Sequence, residues 1–403
     1  FFAWLAVFAH LVSLAFVPVA QADMIGTGTM LDEADRAERV AEVRDLLGQE
    51  RVAEQMVELG VDPAAAQARV ASLTDAELAQ MQGNLESLPA GGSALAVLGV
   101  VFLVLLVLEL VGVGAHTAPV LLTDTPFFAQ ERYQCGPAAL AMMLQASGVE
   151  SAPAELVDEV WIPELEGSLQ AEMAATARRQ GRMPHVIQPD LGSLLAELRD
   201  GHPVLVLENL GWNIYPIWHY AVVIGFDPVE DVMVLHTGVD RAKRVATADF
   251  LEDWSKAERW AMVLLEPGKL PAGDEPGRFL RSAVALEESD HSDMARRAYE
   301  AATRRWPDQP AAWLGLGNAY YQLGDLSGAA KAYRMMLKRF PDDAPAHHNL
   351  AEVLAASGCR EQALEHAEQA VQASDGDMQK VARKTRAAIR DMAVGRNGAC
   401  SAP

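Results

Sequence analysis

The chain has 403 residues, room for two or three folded units at roughly 150 residues each. Its 33 Lys and Arg against 55 Asp and Glu give a net charge of -22, which leaves no broad basic face for a phosphate backbone and argues against nucleic-acid binding. Three cysteines, Cys135, Cys359 and Cys400, are too few and too scattered for a disulfide scaffold or a zinc cage.

Residues 1–22 are an apolar run that ends in Ala20-Gln21-Ala22, a small-x-small cleavage pattern, and read as an export signal, with an uncleaved anchor helix as the alternative. The run opens without Met and without the basic residues such a signal needs, which predicts further residues upstream. Residues 23–93 are acidic and read as helical, with Pro63 opening one helix after Asp62 and Thr74 capping another ahead of Glu77. Residues 94–113 contain one ionisable side chain, Glu109, and at 1.5 Å per residue they reach across about 30 Å of hydrocarbon. This predicts a transmembrane helix, with Glu109 snorkelling from one end to headgroup water. The signal, short helical segment and final anchor together resemble a small family of bacterial membrane proteins of unknown function.

From residue 118 to about 270 the pattern mixes helix and strand. Its strongest chemical signal is AQERYQCGPAALAMML, residues 129–144. Gly136 and Pro137 follow Cys135 and an apolar helical pattern continues, so the thiol is expected at a helix N-terminus, where the dipole favours thiolate. Gln130 carries an amide that can donate to a developing oxyanion alongside the Cys135 N–H. A nucleophilic cysteine needs a base, and His219 opens the run Ala221–Ile224, which reads as a buried strand bounded by Gly225. Trp212, Tyr215 and Trp218 beside it are candidates either for the core or for the lining of a cleft.

These residues resemble the papain-like cysteine peptidases of the bacteriocin-processing, double-glycine leader family. The likeness runs over about residues 122–268 and includes Gln130, Cys135-Gly136-Pro137-Ala138-Ala139-Leu140, Glu166-Gly167-Ser168-Leu169-Gln170, Gly201-His202-Pro203-Val204-Leu205-Val206 and His219-Tyr220. It implies Cys135 as nucleophile, His219 as general base and acid, Gln130 as oxyanion donor, a peptide or protein substrate, and no metal or organic cofactor. It also implies an Asp or Asn about seventeen residues beyond the His to orient the imidazole, and that position is His236. Across an antiparallel pair the sum of facing indices is constant. A turn centred near Asp227-Pro228 therefore sets His236 opposite His219, and one centred between Val229 and Glu230 sets Asp240 there. Asp240 or a backbone carbonyl is preferred slightly over His236.

After the Pro/Gly-rich stretch 266–277 the chain reads as helical throughout. A period of 34 aligns Pro307 with Pro341, Gly324 with Gly358, and Ala295 with Ala329 and Ala363. Trp313, Leu316, Gly317, Tyr320, Gly324, Ala329, Tyr333 and Pro341 have the spacing of a tetratricopeptide repeat. Three units, 276–309, 310–343 and 344–377, with a capping helix to 392, are expected to bury a continuous core and to recruit a protein partner. His347 and His348 are expected as exposed helix residues. The fold class is thus α+β: a papain-like peptidase domain over 118–270, an all-α tetratricopeptide solenoid over 276–392, and an N-terminal helical segment with a transmembrane helix. The expected setting is the bacterial inner membrane, with the lipid bilayer as a further partner. An export start at 1–22 followed by a stop at 94–113 leaves the peptidase on the cytoplasmic side, and two reading frames joined in one chain would explain the same pattern.

Overall fold

The computed structural model describes residues 24–28, 41, 118–212 and 214–392. The expectations for the signal at 1–22 and the span at 94–113 lie outside the described residues, as does the segment 23–93 apart from 24–28 and 41. Among the described residues no helix is long and apolar enough to cross a membrane. The chain divides into two compact units, Gly28–Ser282 and a second made of Phe1–Thr27 with Ala283–Pro403.

The first unit runs β1 (Val120–Leu121), α1 (Cys135–Ala146), α2 (Pro153–Val160), α3 (Gln170–Arg179), β2 (Met183–Val186), α4 (Leu191–Arg199), β3 (Val204–Asn209), β4 (Trp218–Asp227), β5 (Val232–Thr237), β6 (Asp240–Ala246), α5 (Thr247–Ser255) and β7 (Ala261–Leu265). The strands form one antiparallel sheet in the order β2-β7-β3-β4-β5-β6, with β1 also on β4. Every residue of β3 is buried, which explains its unbroken apolar run. On one face Leu205, Leu207, Tyr220, Val222 and Ile224 pack against Leu140, Met143 and Leu144 of α1. The alternate residues Val204, Val206, Ala221 and Val223 are buried as well, and α5 packs on β3 through Phe250 and Trp254, so both faces are covered. Alanines at 138, 139 and 141 let α1 lie close to its neighbours all round.

Two local devices fix the strands around the site. Gly201, at φ +90°, turns the chain out of α4, and the buried Glu197 holds His202 Nδ1 at 2.7 Å before β3 begins. Gly225 is where β1 crosses β4: a Cβ there would stand 2.9 Å from Leu121 Cδ1 and against the Val120 carbonyl.

The second unit is helical. α6 (Pro276–Glu288) spans the division between the units and leads to α7 (Ser292–Arg305), α8 (Pro310–Gln322), α9 (Leu326–Leu337), α10 (Ala344–Ala356), α11 (Arg360–Ala373) and α12 (Gly376–Asp391). From α7 onward each helix packs on the next. Gly324 and Gly358, at φ +77° and +79°, make the tight turns that the 34-residue alignment placed in one column. Gly315 and Gly317 of α8 receive the rings of Tyr299 and Tyr333, which are fully buried. Cys359 is disulfide-bonded. The expected exposure of His347 and His348 is corrected: both are buried, because the alanine-rich α10 is covered on nearly every side. His347 sits between the Pro341 carbonyl, 2.8 Å from Nε2, and His366 Nδ1, 3.0 Å from its own Nδ1, with the two rings stacked.

Ala usually stabilises a helix interior relative to Gly by about 1 kcal/mol. At Gly317 the added methyl meets the Tyr333 ring, so Gly317→Ala is expected to destabilise the helical unit by about 1–3 kcal/mol in denaturant unfolding. Gly277→Ala, whose nearest atoms are at 3.8 Å and beyond, should not.

Candidate active site

Cys135 is the first residue of α1, as the Cys-Gly-Pro string predicts. The N-cap residue Gln134 makes no side-chain cap, and Pro137 has no N–H, so the free amides at this helix end are those of Cys135 and Gly136. Both act on the thiol, together with the backbone N–H of Tyr220 on β4. That contact sets the sulfur beside the strand that carries His219. The chain enters α1 through a tight turn in which Tyr133 adopts φ +63°, a left-handed conformation unusual for an aromatic residue, and Arg132 stacks on its ring. Gly136 is required at its position, because a Cβ would collide with the Ser168 side chain. Ser168 Oγ is itself buried and finds no hydrogen-bond partner among the described residues, while its carbonyl accepts from the Tyr220 hydroxyl at 3.2 Å.

An open cleft of about 790 Å³ is lined by Gln130, Tyr133, Cys135, Ser168, Trp218 and His219, among others. The three residues singled out from the sequence therefore share one cavity. Gln130 is held by its backbone N–H, which donates to the Gly238 carbonyl at 3.0 Å.

The residue that holds the imidazole is neither of those expected. His219 Nε2 lies 2.7 Å from Thr237 Oγ1. Asp227 pairs with Val232, so the β4–β5 turn is centred between Val229 and Glu230, the geometry that would bring Asp240 opposite His219. A bulge between Val223 and Gly225 then slips the register by one, so that Val222 faces His236. β5 ends at Thr237 before reaching His219, the chain turns back at Gly238, and Asp240 pairs with Thr237 at the exposed start of β6. His236 faces away: its Nε2 donates to the Thr125 carbonyl at 3.2 Å, its Nδ1 accepts from the Ala242 N–H at 3.1 Å, and Phe127 packs edge-on against the ring. Both backbone bonds fix His236 as a neutral structural imidazole.

Charge in the cleft departs from the thiolate expected of a helix N-terminus. Burial pushes the Cys135 thiol up, outweighing the three N–H groups that pull it down. Burial, with help from Lys243, brings His219 down to about 4. The resting pair at neutral pH is thiol and neutral imidazole. With Thr237 Oγ1 accepting from Nε2–H, the basic nitrogen of His219 is Nδ1. Directly across the β3–β4 pair from His219 stands Glu208, buried and pushed up to about 7 by burial and by Asp253.

Residues 210–212 and 214–217 lie between β3 and β4, and Pro216 and Ile217 among them line the cleft. Asn209 Oδ1 accepts from the Gly211 and Ile217 amides at 3.0 and 2.9 Å and closes the loop. Trp212, Tyr215 and Trp218 are not core residues: they are 77%, 74% and 53% exposed, and Trp218 lines the cleft. Among the described residues no group of three or more His, Cys, Asp or Glu is arranged to hold a metal ion.

Residues 122–262 match the Peptidase_C39 like family, 280–344 a Tetratricopeptide repeat family, and 1–119 a Family of unknown function (DUF6627). The chain carries a Peptidase_C39-like domain. None of the curated proteins matches the chain. Among solved structures, a C39-like peptidase from Bacillus anthracis is 18% identical, over 38% of this chain and 99% of that one, with a TM-score of 0.31. The peptidase domain of Streptococcus ComA, a bi-functional ABC transporter involved in a quorum sensing pathway, is 20% identical over 35% and 98%, with a TM-score of 0.30. The Yersinia enterocolitica type III secretion chaperone SycD, in complex with a peptide of the translocator YopD, is 16% identical over 29% and 94%, with a TM-score of 0.28.

In the C39-like domain of this chain a hydroxyl holds the imidazole where the family resemblance implies an Asp or Asn. An opposite charge at hydrogen-bond distance favours imidazolium, so Thr237→Asp is expected to raise the His219 imidazole midpoint in an NMR titration by roughly 1–3 pH units. The unsubstituted protein should titrate at about 4. A midpoint at the ordinary 6.5 would show a solvated ring and refute the assigned burial and contact.

Proposed function

We propose that the C39-like domain is a cysteine peptidase and that the repeats recruit its substrate or a protein partner. The single observation that carries this reading is the meeting of Cys135, His219 and Gln130 around one open cleft. In the proposed reaction His219 Nδ1 takes the thiol proton as Cys135 Sγ attacks the peptide carbonyl carbon. The oxyanion is stabilised by the Cys135 N–H and the Gln130 amide. The C–N bond then breaks with the proton passing to the leaving amine, and water, deprotonated by the same imidazole, hydrolyses the thioester. Because the resting pair is neutral, proton transfer accompanies attack rather than preceding it, and Thr237 keeps the Nε2–H tautomer in place. The exposed Leu165, Leu169, Ile217 and Trp218 at the rim favour an extended peptide with apolar side chains. Cys135→Ala is expected to abolish peptide-bond cleavage and labelling by a thiol-directed probe, and retained cleavage rejects the assignment.

A second reading, a non-catalytic peptide-binding module, is favoured by two observations: the thiol pushed up by burial and the hydroxyl in the orienting position. The two readings differ in thiol reactivity. A peptidase requires Cys135 to be alkylated faster than free cysteine in a manner that depends on His219, whereas a rate no faster and unaffected by His219→Ala supports the binding module.

The apolar runs at 1–22 and 94–113 support a tether in the bacterial inner membrane. A reporter fused after residue 270 tests the two-signal topology, export begun by the first and stopped by the second: a cytoplasmic readout would separate residues 24–28 from the repeats and exclude the bonds of Ile25 and Thr27 to Asn349 and Asn318, whereas a periplasmic readout is the outcome those bonds require. A periplasmic readout would overturn that topology.

A further inference from the structure

Three polar side chains stand in register along the helical unit: Glu287 on α6, Asn318 on α8 and Asn349 on α10, each 31 residues from the next and each buried. They form one hydrogen-bonded chain. Tyr299 donates to Glu287 at 2.7 Å, Asn318 Nδ2 to Glu287 at 3.1 Å, Tyr333 to Asn318 Oδ1 at 2.7 Å, and Asn349 Nδ2 to the same Oδ1 at 3.0 Å. The rings of Tyr299 and Tyr333 reach this row because Gly315 and Gly317 leave room for them. A row of buried amides and carboxyl is costly unless its remaining hydrogen-bonding capacity is met.

That capacity is met by a short piece of the chain from far away in sequence. Asn349 takes Ile25 by both of its backbone groups: Oδ1 accepts from the Ile25 N–H at 2.9 Å and Nδ2 donates to the Ile25 carbonyl at 3.1 Å. This is the paired bonding that a neighbouring strand would supply. Asn318 Nδ2 donates to the same carbonyl at 3.0 Å and to Thr27 Oγ1 at 3.1 Å. Thr27 also bonds Glu287 and is completely buried, whereas Gly26 between them is exposed and a Cβ on it would meet nothing within 4 Å. The contacts thus read one residue by both of its backbone groups and one hydroxyl two residues later, and they ignore the side chain between.

We propose that the row Glu287–Asn318–Asn349 is a peptide clamp whose occupant is the chain's own segment Met24–Gly28, bound in cis, and that another ligand of the same form reaches the repeats only by displacing it. The matching ligand is a segment that presents the N–H and C=O of one residue to the clamp and carries a Ser or Thr two residues later. This holds whether or not the C39-like domain cleaves peptide bonds.

The test uses the full chain. Ile25→Pro removes the N–H given to Asn349, and Thr27→Val removes the hydroxyl, while both leave the helices themselves unaltered. A fluorescent peptide of residues 22–30 is expected to bind the doubly substituted chain at least about tenfold more tightly than the unsubstituted one, whose clamp is filled, because the substitutions remove the Ile25 N–H bond to Asn349 and the Thr27 hydroxyl bonds to Asn318 and Glu287. The same peptide carrying Ile25→Pro and Thr27→Val should bind neither chain. Equal affinity for both chains, or none for either, overturns the proposal. A dimer of the unsubstituted chain that the double substitution converts to monomer places the segment in a second copy and overturns binding in cis. Circular dichroism on both chains separates a displaced segment from an unfolded solenoid, and slow amide exchange at Ile25 in the unsubstituted chain alone is the independent confirmation.

Discussion

The corner at the end of β5 is the constraint on which the cleft depends. The Thr237 hydroxyl oxygen accepts from His219 Nε2–H, and the carbonyl of the next residue, Gly238, accepts from the Gln130 backbone N–H. Two groups that arrive from opposite ends of the domain are therefore tied to adjacent peptide units. Gln130 precedes α1 by only a few residues, so the same corner fixes the approach of the chain to Cys135. Moving the corner by one residue would detach His219 and Gln130 together. The bulge in β4 is what sets it there, since without that slip the strand would carry a different side chain to the imidazole.

Burial and the helix terminus compete over the thiol, and burial is the larger influence. The amides of Cys135, Gly136 and Tyr220 are short-range donors, while removing the sulfur from water disfavours its charged form outright. Desolvation acts on His219 in the opposite direction, lowering its affinity for a proton. Both shifts favour the uncharged pair. Under the peptidase reading, such a site would hold its proton on sulfur until a carbonyl is attacked, with the helix-end N–H groups then acting on the developing oxyanion. Glu208, facing His219 across the strand pair and holding its own proton to about pH 7, adds no fixed negative charge at acid pH.

Residue types and spacing made much of this legible. The Cys-Gly-Pro string announced a helix start, the apolar run after His219 announced a central strand, and the 34-residue alignment announced the glycine turns of the helical unit. The orienting residue was not legible, because index sums locate a partner only while the register is unbroken and nothing in VVIGF declares a bulge. Thr237 stands one residue from His236 and three from Asp240, and it takes both the one-residue slip in β4 and the turn at Gly238 to bring it to the imidazole. Trp212 and Tyr215 resist a reading from composition, since the same aromatic pair fills a core or stands at the surface; the structure leaves both exposed, on a loop that Asn209 closes through two backbone amides. The buried row in the repeats was visible only as polar residues 31 apart, a period different from that of the repeat itself.

That difference of period has a physical meaning. Repeats of 34 residues place equivalent positions at equivalent depths, so side chains conserving the 34-residue step face the same neighbours in each unit. A step of 31 moves the polar group back by about one helical turn from one repeat to the next, near the 3.6 residues of an α-helix. The row consequently runs oblique to the stack and follows a line, which suits a peptide segment meeting three helices better than a compact ligand seated in one repeat. Asn349 and Asn318 meet that line at the same carbonyl, and Asn318 and Glu287 meet it again at the hydroxyl of Thr27. The packing glycines at 315 and 317, by admitting two tyrosines that saturate the far side of the row, leave the near side with only those bonds to make.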